Sequence, residues 1–181
     1  MPMNSKIHFT TVDIALVSVF CAFWVVLNLT VAPISFRLIG LPIIHDLITF
    51  FTFLIVTWAT GKFGTTSFVG VVGAIIVSLI GGPPPVIGFA VASVLFDILM
   101  IANRHKINMK IYNTATTAVA TMVSAYFAGV LIGVLFMSRS LDWALTFWGV
   151  WHLIGGIISI AITLPVIGIL ERANVRKMNS A

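Results

Sequence analysis

The sequence predicts an all-α integral membrane protein: a bundle of six transmembrane helices with both termini in the cytoplasm, forming a single domain over residues 1–181. Three observations predict it. Apolar residues make up 60% of the chain and charged residues 8%, against about 45–50% and roughly 25% in soluble domains. The apolar residues fall into six runs, most of them near the roughly 20 residues that cross a hydrocarbon core of about 30 Å. Lys and Arg collect on alternate connections, as they do where charge orients a membrane protein.

The first span is expected over about Val12–Ile34, with Thr10 and Asp13 as a capping pair at its start. The apolar run is long enough to span and is read as a retained helix, not a cleaved leader. Ser35–Pro42 reads as a loop carrying Arg37, Gly40 and Pro42. The second span covers about Ile43–Thr60 and stops at Gly61-Lys62-Phe63-Gly64. The third, about Thr65–Ile80, is rich in Gly, Ala and Val and ends at Gly81-Gly82-Pro83-Pro84-Pro85, where proline lacks the donor a helix needs. Val86–Ala102 leads into the basic loop Asn103–Lys110; Ile111–Met137 and Trp143–Leu170 complete the set, followed by the basic tail Glu171–Ala181.

With the N-terminus inside, the inner segments hold Lys6, Lys62, Arg104, Lys106, Lys110, Arg172, Arg176 and Lys177, and the outer loops only Arg37 and Arg139. That asymmetry over short loops fixes the expected orientation. The same scatter argues against nucleic acid as a partner: the formal charge of +5 forms no single basic patch. The lone cysteine, Cys21, lies in the first span and reads as a small hydrophobe. No G-x-x-x-x-G-K-[ST] phosphate loop is present, so energy for transport would come from a partner or an ion gradient. The halves share no repeat, which weighs against an inverted-repeat carrier or an autonomous channel.

Small residues recur at Ala15, Ser18 and Ala22 in the first span, and at Gly70, Gly73 and Ala74 in the third. In the fifth they are Ala118, Ser124, Ala125, Ala128, Gly129 and Gly133. Such positions let membrane helices approach closely; most serve packing within the bundle. Ala15, Ser18 and Ala22, in the inner half of the first helix, are also candidates for docking a partner subunit.

Strongly polar groups are costly in a bilayer unless paired or wet. Those without an obvious reason gather toward the outer side: Trp24 and Asn28 in the first helix, Arg37 after it, and His45 and Asp46 opening the second. Arg139 and Asp142 flank the last outer loop, followed by Trp143, Trp148, Trp151 and His152. Singly these read as solvated loop charges, interfacial tryptophans or helix-end groups. Together they read as an outward-opening pocket, in which Trp24, Asn28, Arg37, His45, Asp46, Arg139, Trp148, Trp151 and His152 are candidate substrate-binding residues. Asp97 is expected to pair with Arg104 or another basic residue of the following loop. Asn113, Thr114, Thr116 and Thr117 read as packing or backbone partners.

No H-E-x-x-H, G-x-S-x-G or paired intramembrane aspartates suggest an enzyme. His45 and His152, at similar outer depth, leave open a structural subunit holding a haem or metal. Otherwise no cofactor or metal is expected.

The stretch Thr11-Val-Asp-Ile-Ala15-Leu-Val-Ser18-Val-Phe-Cys-Ala22-Phe resembles the first helix of the substrate-binding S components of energy-coupling factor transporters. The resemblance rests on the whole layout, including Gly64–Gly82, Gly-Pro-Pro-Pro and Val86–Phe96, which look like the family's third and fourth helices with their outer loop. The family's first helix carries alanines every fourth residue toward a coupling subunit; here Val19 interrupts that repeat, while Ser18 and Ala22 keep the spacing. The resemblance implies capture of a vitamin or related micronutrient from outside. It also implies association with a membrane coupling subunit and two cytoplasmic ATPases, whose ATP hydrolysis topples the S component to release the ligand inward. Metal-specific members begin with Met-His; this chain begins Met1-Pro2-Met3, which disfavours metal. The aromatic cluster suits a ring-bearing vitamin. Asp46 and Asp142 would suit a cation such as thiamine or its pyrimidine precursor, and Arg37 and Arg139 an anion.

Overall fold

Thr10 and Asp13 open the first helix as their spacing predicts. The Asp13 backbone N–H donates to the Thr10 hydroxyl at 3.2 Å, and the Thr10 backbone N–H donates to the Asp13 carboxylate at 2.7 Å, a reciprocal capping box. The computed structural model describes residues 9–173 and 175. Lys6, Arg176 and Lys177, which contribute to the expected inner charge, and Met1-Pro2-Met3 lie outside the described residues.

Helix α1 (Thr11–Ile39) runs past its expected end, through Pro33 and Ser35, and stops at Gly40, whose φ of 73° supplies a left-handed C-cap. Arg37 therefore stands in the last helical turn and not in a loop, where its charge suits the negative end of the helix dipole. Helix α2 (Ile43–Thr60) ends on Gly61, again left-handed with φ 63°. Helix α3 (Thr65–Leu79) follows, then α4 (Val86–Met100) with a 3-10 turn Ile101–Asn103, and α5 (Ile111–Leu135). Helix α6 (Leu141–Arg172) holds a π-helical turn at Ala144–Trp148.

Every regular element among the described residues is a helix. Five are long and apolar enough to cross a membrane: α1, α2, α4 with its 3-10 turn, α5 and α6. Helix α3 is apolar but shorter: its 15 residues reach only about 22 Å at 1.5 Å per residue, short of a core of roughly 30 Å. The Gly81-Gly82-Pro83-Pro84-Pro85 connection cuts it off early.

Specific contacts fix the relative directions. Lys62, after α2, bonds Asp13 at the start of α1 at 2.5 Å. Asp97, near the end of α4, accepts from the Gly64 and Ser67 N–H groups at the start of α3 at 3.1 and 2.7 Å. The Trp58 indole N–H near the end of α2 donates to Glu171 near the end of α6 at 3.3 Å. At the opposite end His45 of α2 meets Asn28 of α1, and His152 of α6 meets Asp46 of α2. The six helices therefore alternate in direction, and Thr11 and Arg172 lie at the same end of the bundle.

The burial pattern inverts that of a soluble protein. Val19, Leu79 and Ile111 are 64%, 82% and 89% exposed, while Asp46, Asp97, Asn28 and His152 are buried. An apolar perimeter with the charged and strongly polar groups turned inward suits lipid as solvent. Trp24, Phe50, Phe53, Phe89 and Phe96 fill the core. Asp97 finds its partners at the α3 N-terminus, accepting also from the Ser67 hydroxyl at 2.6 Å, with His105 Nε2 3.4 Å away. The loop residue beside it is thus His105, not Arg104. The carboxylate compensates the start of a helix whose own N-cap, Gly64, has no side chain to offer.

Candidate functional site

At the His45 end of the bundle a cavity of about 290 Å³ opens between the end of α1, the start of α2, the Pro83–Pro85 turn and the start of α6. Ala32, Pro33, Phe36 and Arg37 line it from α1, and Pro42 and His45 from α2. Pro83 and Pro85 close one side, Ile132 and Met137 another, and Trp148 and His152 face in from α6.

Four of the nine candidate substrate-binding residues line this cavity: Arg37, His45, Trp148 and His152. Two more stand directly behind the wall. The Asn28 amide N–H donates to the Trp24 carbonyl at 2.8 Å, which turns its oxygen to His45 Nε2 at 2.5 Å. His45 Nε2 must then carry the hydrogen. Asp46, fully buried, meets His152 Nδ1 at 2.7 Å. His45 and Asp46 thus serve side-chain contacts between helices; the N-cap position of α2 is Pro42, with no side-chain cap. Each cavity imidazole is aimed by a polar group from a different helix.

Trp24 lies deeper. Its indole N–H donates to Thr49 at 3.1 Å, and its ring stacks on Phe53 with centroids 6.2 Å apart. Arg139 is exposed, its guanidinium 5.5 Å from the centre of the Trp143 ring. Trp143 in turn stacks on Trp148 at 5.7 Å and 16°. Trp151 packs edge-on against Phe147 at 6.4 Å and does not line the cavity, nor does Asp142.

The aromatic walls are mutually braced. Phe36 meets Trp148 edge-on at 6.2 Å, while Phe89 touches both imidazoles, with centroids 4.5 Å from His45 and 5.7 Å from His152. Trp148 and His152 sit four residues apart, one helical turn, with rings 5.7 Å apart. The π-helical turn ends at Trp148; such turns re-phase a helix and are frequent at functional sites. Glycines make the close approaches possible. A Cβ on Gly129 would sit 2.6 Å from the His152 ring, and one on Gly155 would sit 2.6 Å from Asp46 Cβ.

The prolines of the wall, Phe36 and Met137 did not stand out in the sequence. The Gly-Pro-Pro-Pro run was visible as a helix stop and an outer loop, and its turn also walls the cavity.

Comparison with protein-family models, curated proteins and solved structures finds no match for this chain. A functional reading therefore rests on the cavity and its surroundings.

Proposed function

We propose that this chain is the substrate-capture subunit of a membrane importer of the energy-coupling factor type, taking a small ring-bearing micronutrient from outside the cell. The observation that carries the reading is the cavity of about 290 Å³ walled by Phe36, Trp148, His45 and His152. That volume is at the small end of ligand sites, which are mostly apolar with a few placed polar groups. It suits a single-ring molecule.

Orientation follows from charge. Lys62, Arg104, Lys106, Lys110 and Arg172 belong to the end opposite the cavity, which by the positive-inside rule is cytoplasmic. The cavity then faces outward, and both termini are on the cytoplasmic side of the cell membrane. Because its neighbours α2 and α4 run the same way, α3 has to return between them as a sixth, shorter crossing.

Delivery would rest on a coupling subunit and two ATPases. Ala15, Ser18 and Ala22 are all exposed on α1, consistent with a docking face for that subunit. Ser18 also borders an apolar cavity of about 500 Å³ with Phe63 and Phe68 near the inner end. A second reading, a haem-holding subunit of a membrane complex, is favoured by one observation: His45 and His152 line the same cavity.

The outward orientation is tested by thiol labelling in a Cys21→Ser background. Phe36, 41% exposed beside the cavity, and Phe63, 40% exposed at the other end, are the sites to replace. The Phe36→Cys variant should react with a membrane-impermeant maleimide on intact cells, and Phe63→Cys only after permeabilisation. The reverse pattern would turn the cavity toward the cytoplasm and exclude capture from outside.

A further inference from the structure

The walls of the cavity carry four polar side chains: Arg37, His45, Trp148 and His152. Two of them leave a buried polar atom with no hydrogen-bond partner, Trp148 Nε1 and His152 Nε2. Trp148 is 5% exposed and His152 1% exposed, so solvent at the mouth reaches neither residue freely. Buried polar groups are ordinarily satisfied, and an orphaned pair on one cavity wall points to a ligand that completes it.

Both orphans are donors. An indole nitrogen can only donate. For His152 the answer follows from its pairing with Asp46. A net charge buried in an apolar bundle is far costlier than a neutral pair, and no other charged side chain contacts these two among the described residues. A neutral pair has two forms, carboxylate with imidazolium or carboxyl with neutral imidazole. In the first, both ring nitrogens carry hydrogen. In the second, the carboxyl O–H donates to Nδ1 and the remaining ring hydrogen sits on Nε2. Either way Nε2 carries a hydrogen for which the fold supplies no partner.

Arg37 adds a cationic donor at the rim, where it is exposed. The acids that would favour a cationic ligand are not on the wall: Asp46 is tied to His152 behind it, and Asp142 is exposed elsewhere. His45, donating to Asn28 through Nε2, offers Nδ1 as the single acceptor among the four side chains.

We infer that the cavity takes a small planar anion, a single-ring aromatic carboxylate, whose oxygens receive the N–H donors of Trp148, His152 and Arg37. This rests on the capture reading and narrows its substrate class. The aromatic walls cover the ring, and a ring N–H or hydroxyl of the ligand meets His45 Nδ1.

The test uses three probes of one size and different charge: benzoate, benzamide and benzylammonium. Their equilibrium binding is measured to the full-length protein in lipid nanodiscs. Benzoate should bind about tenfold or more tightly than benzamide, and benzylammonium more weakly than either. Trp148→Phe, which keeps the ring and removes the N–H, should weaken benzoate about tenfold, and Arg37→Gln should also weaken it. Benzamide or benzylammonium binding as tightly as benzoate would overturn the anion assignment and leave capture of a ring intact. Benzoate affinity untouched by both substitutions would overturn it as well. Binding of none of the three would overturn the aromatic-carboxylate assignment, and a panel of vitamins on the same nanodiscs would then decide whether the capture reading falls with it.

Discussion

Asp46→Ala destabilises the protein by about 1–5 kcal/mol, the lower end for an orphaned neutral imidazole and the upper for a broken buried ion pair. Asp46 is fully buried and holds His152 Nδ1 at 2.7 Å, joining α2 to α6 across 106 residues of sequence. Without it the imidazole loses its hydrogen-bond partner and its orientation, so ligand affinity should fall together with stability. The midpoint of denaturation in detergent reports the first effect and equilibrium binding the second. Asp46→Asn, which keeps an oxygen to accept from Nδ1, should cost less. In a double-mutant cycle the Asp46→Ala and His152→Ala losses should be far from additive. Additive losses would mean that the two side chains do not act as a pair.

Gly155→Leu is the second large effect. A Cβ at Gly155 would lie 2.6 Å from Asp46 Cβ and 2.8 Å from its Cγ, closer than carbon atoms tolerate. The side chain therefore has to push α6 away from α2 at the level of the Asp46–His152 contact. Overpacking of this kind costs about 1–3 kcal/mol for a few extra methylenes, and leucine at a helix–helix contact belongs at the upper end. Gly168→Ala on the same helix is the control, because its Cβ would meet nothing nearer than Met109 Sδ at 3.6 Å. Thermal denaturation of the two variants should separate them clearly. Equal midpoints would show that the α2–α6 approach is not as close as these distances state.

Much of the fold was legible because membrane helices announce themselves by composition. The bounds of α2 coincide with its apolar run, and the capping pair Thr10 and Asp13 marks the start of α1. The end of α1 was not legible: Ser35 and Arg37 read as loop because a polar residue after a proline ordinarily ends a span. Gly40 in fact sets the stop, and the extra turn carries Phe36 and Arg37 to the cavity. The deficit in α3 was visible in its length but masked by its strongly apolar composition.

The candidate site was legible in kind and only partly in membership. Nearness along the sequence nominated Trp148, Trp151 and His152 alike, yet adjacent helical residues point about 100° apart. Helical periodicity would instead have joined Trp148 to His152, the pair that lines the cavity. The Asp46–His152 and Asn28–His45 contacts join distant segments, and nothing in one sequence links their members. Asp46 consequently read as a candidate for contacting a cation, when its role in the fold is to hold an imidazole. The π-helical turn at Ala144–Trp148 leaves no compositional trace either.

The most direct test of capture by this cavity is native mass spectrometry of the gently purified protein, run beside an Ala32→Trp variant. Ala32 lines the cavity and is 2% exposed, so an indole there fills the space a ligand would need. The account predicts a retained single-ring molecule of vitamin size on the wild type and none on the variant. A wild-type protein that carries haem, or that stays empty and ignores a panel of vitamins, would contradict it.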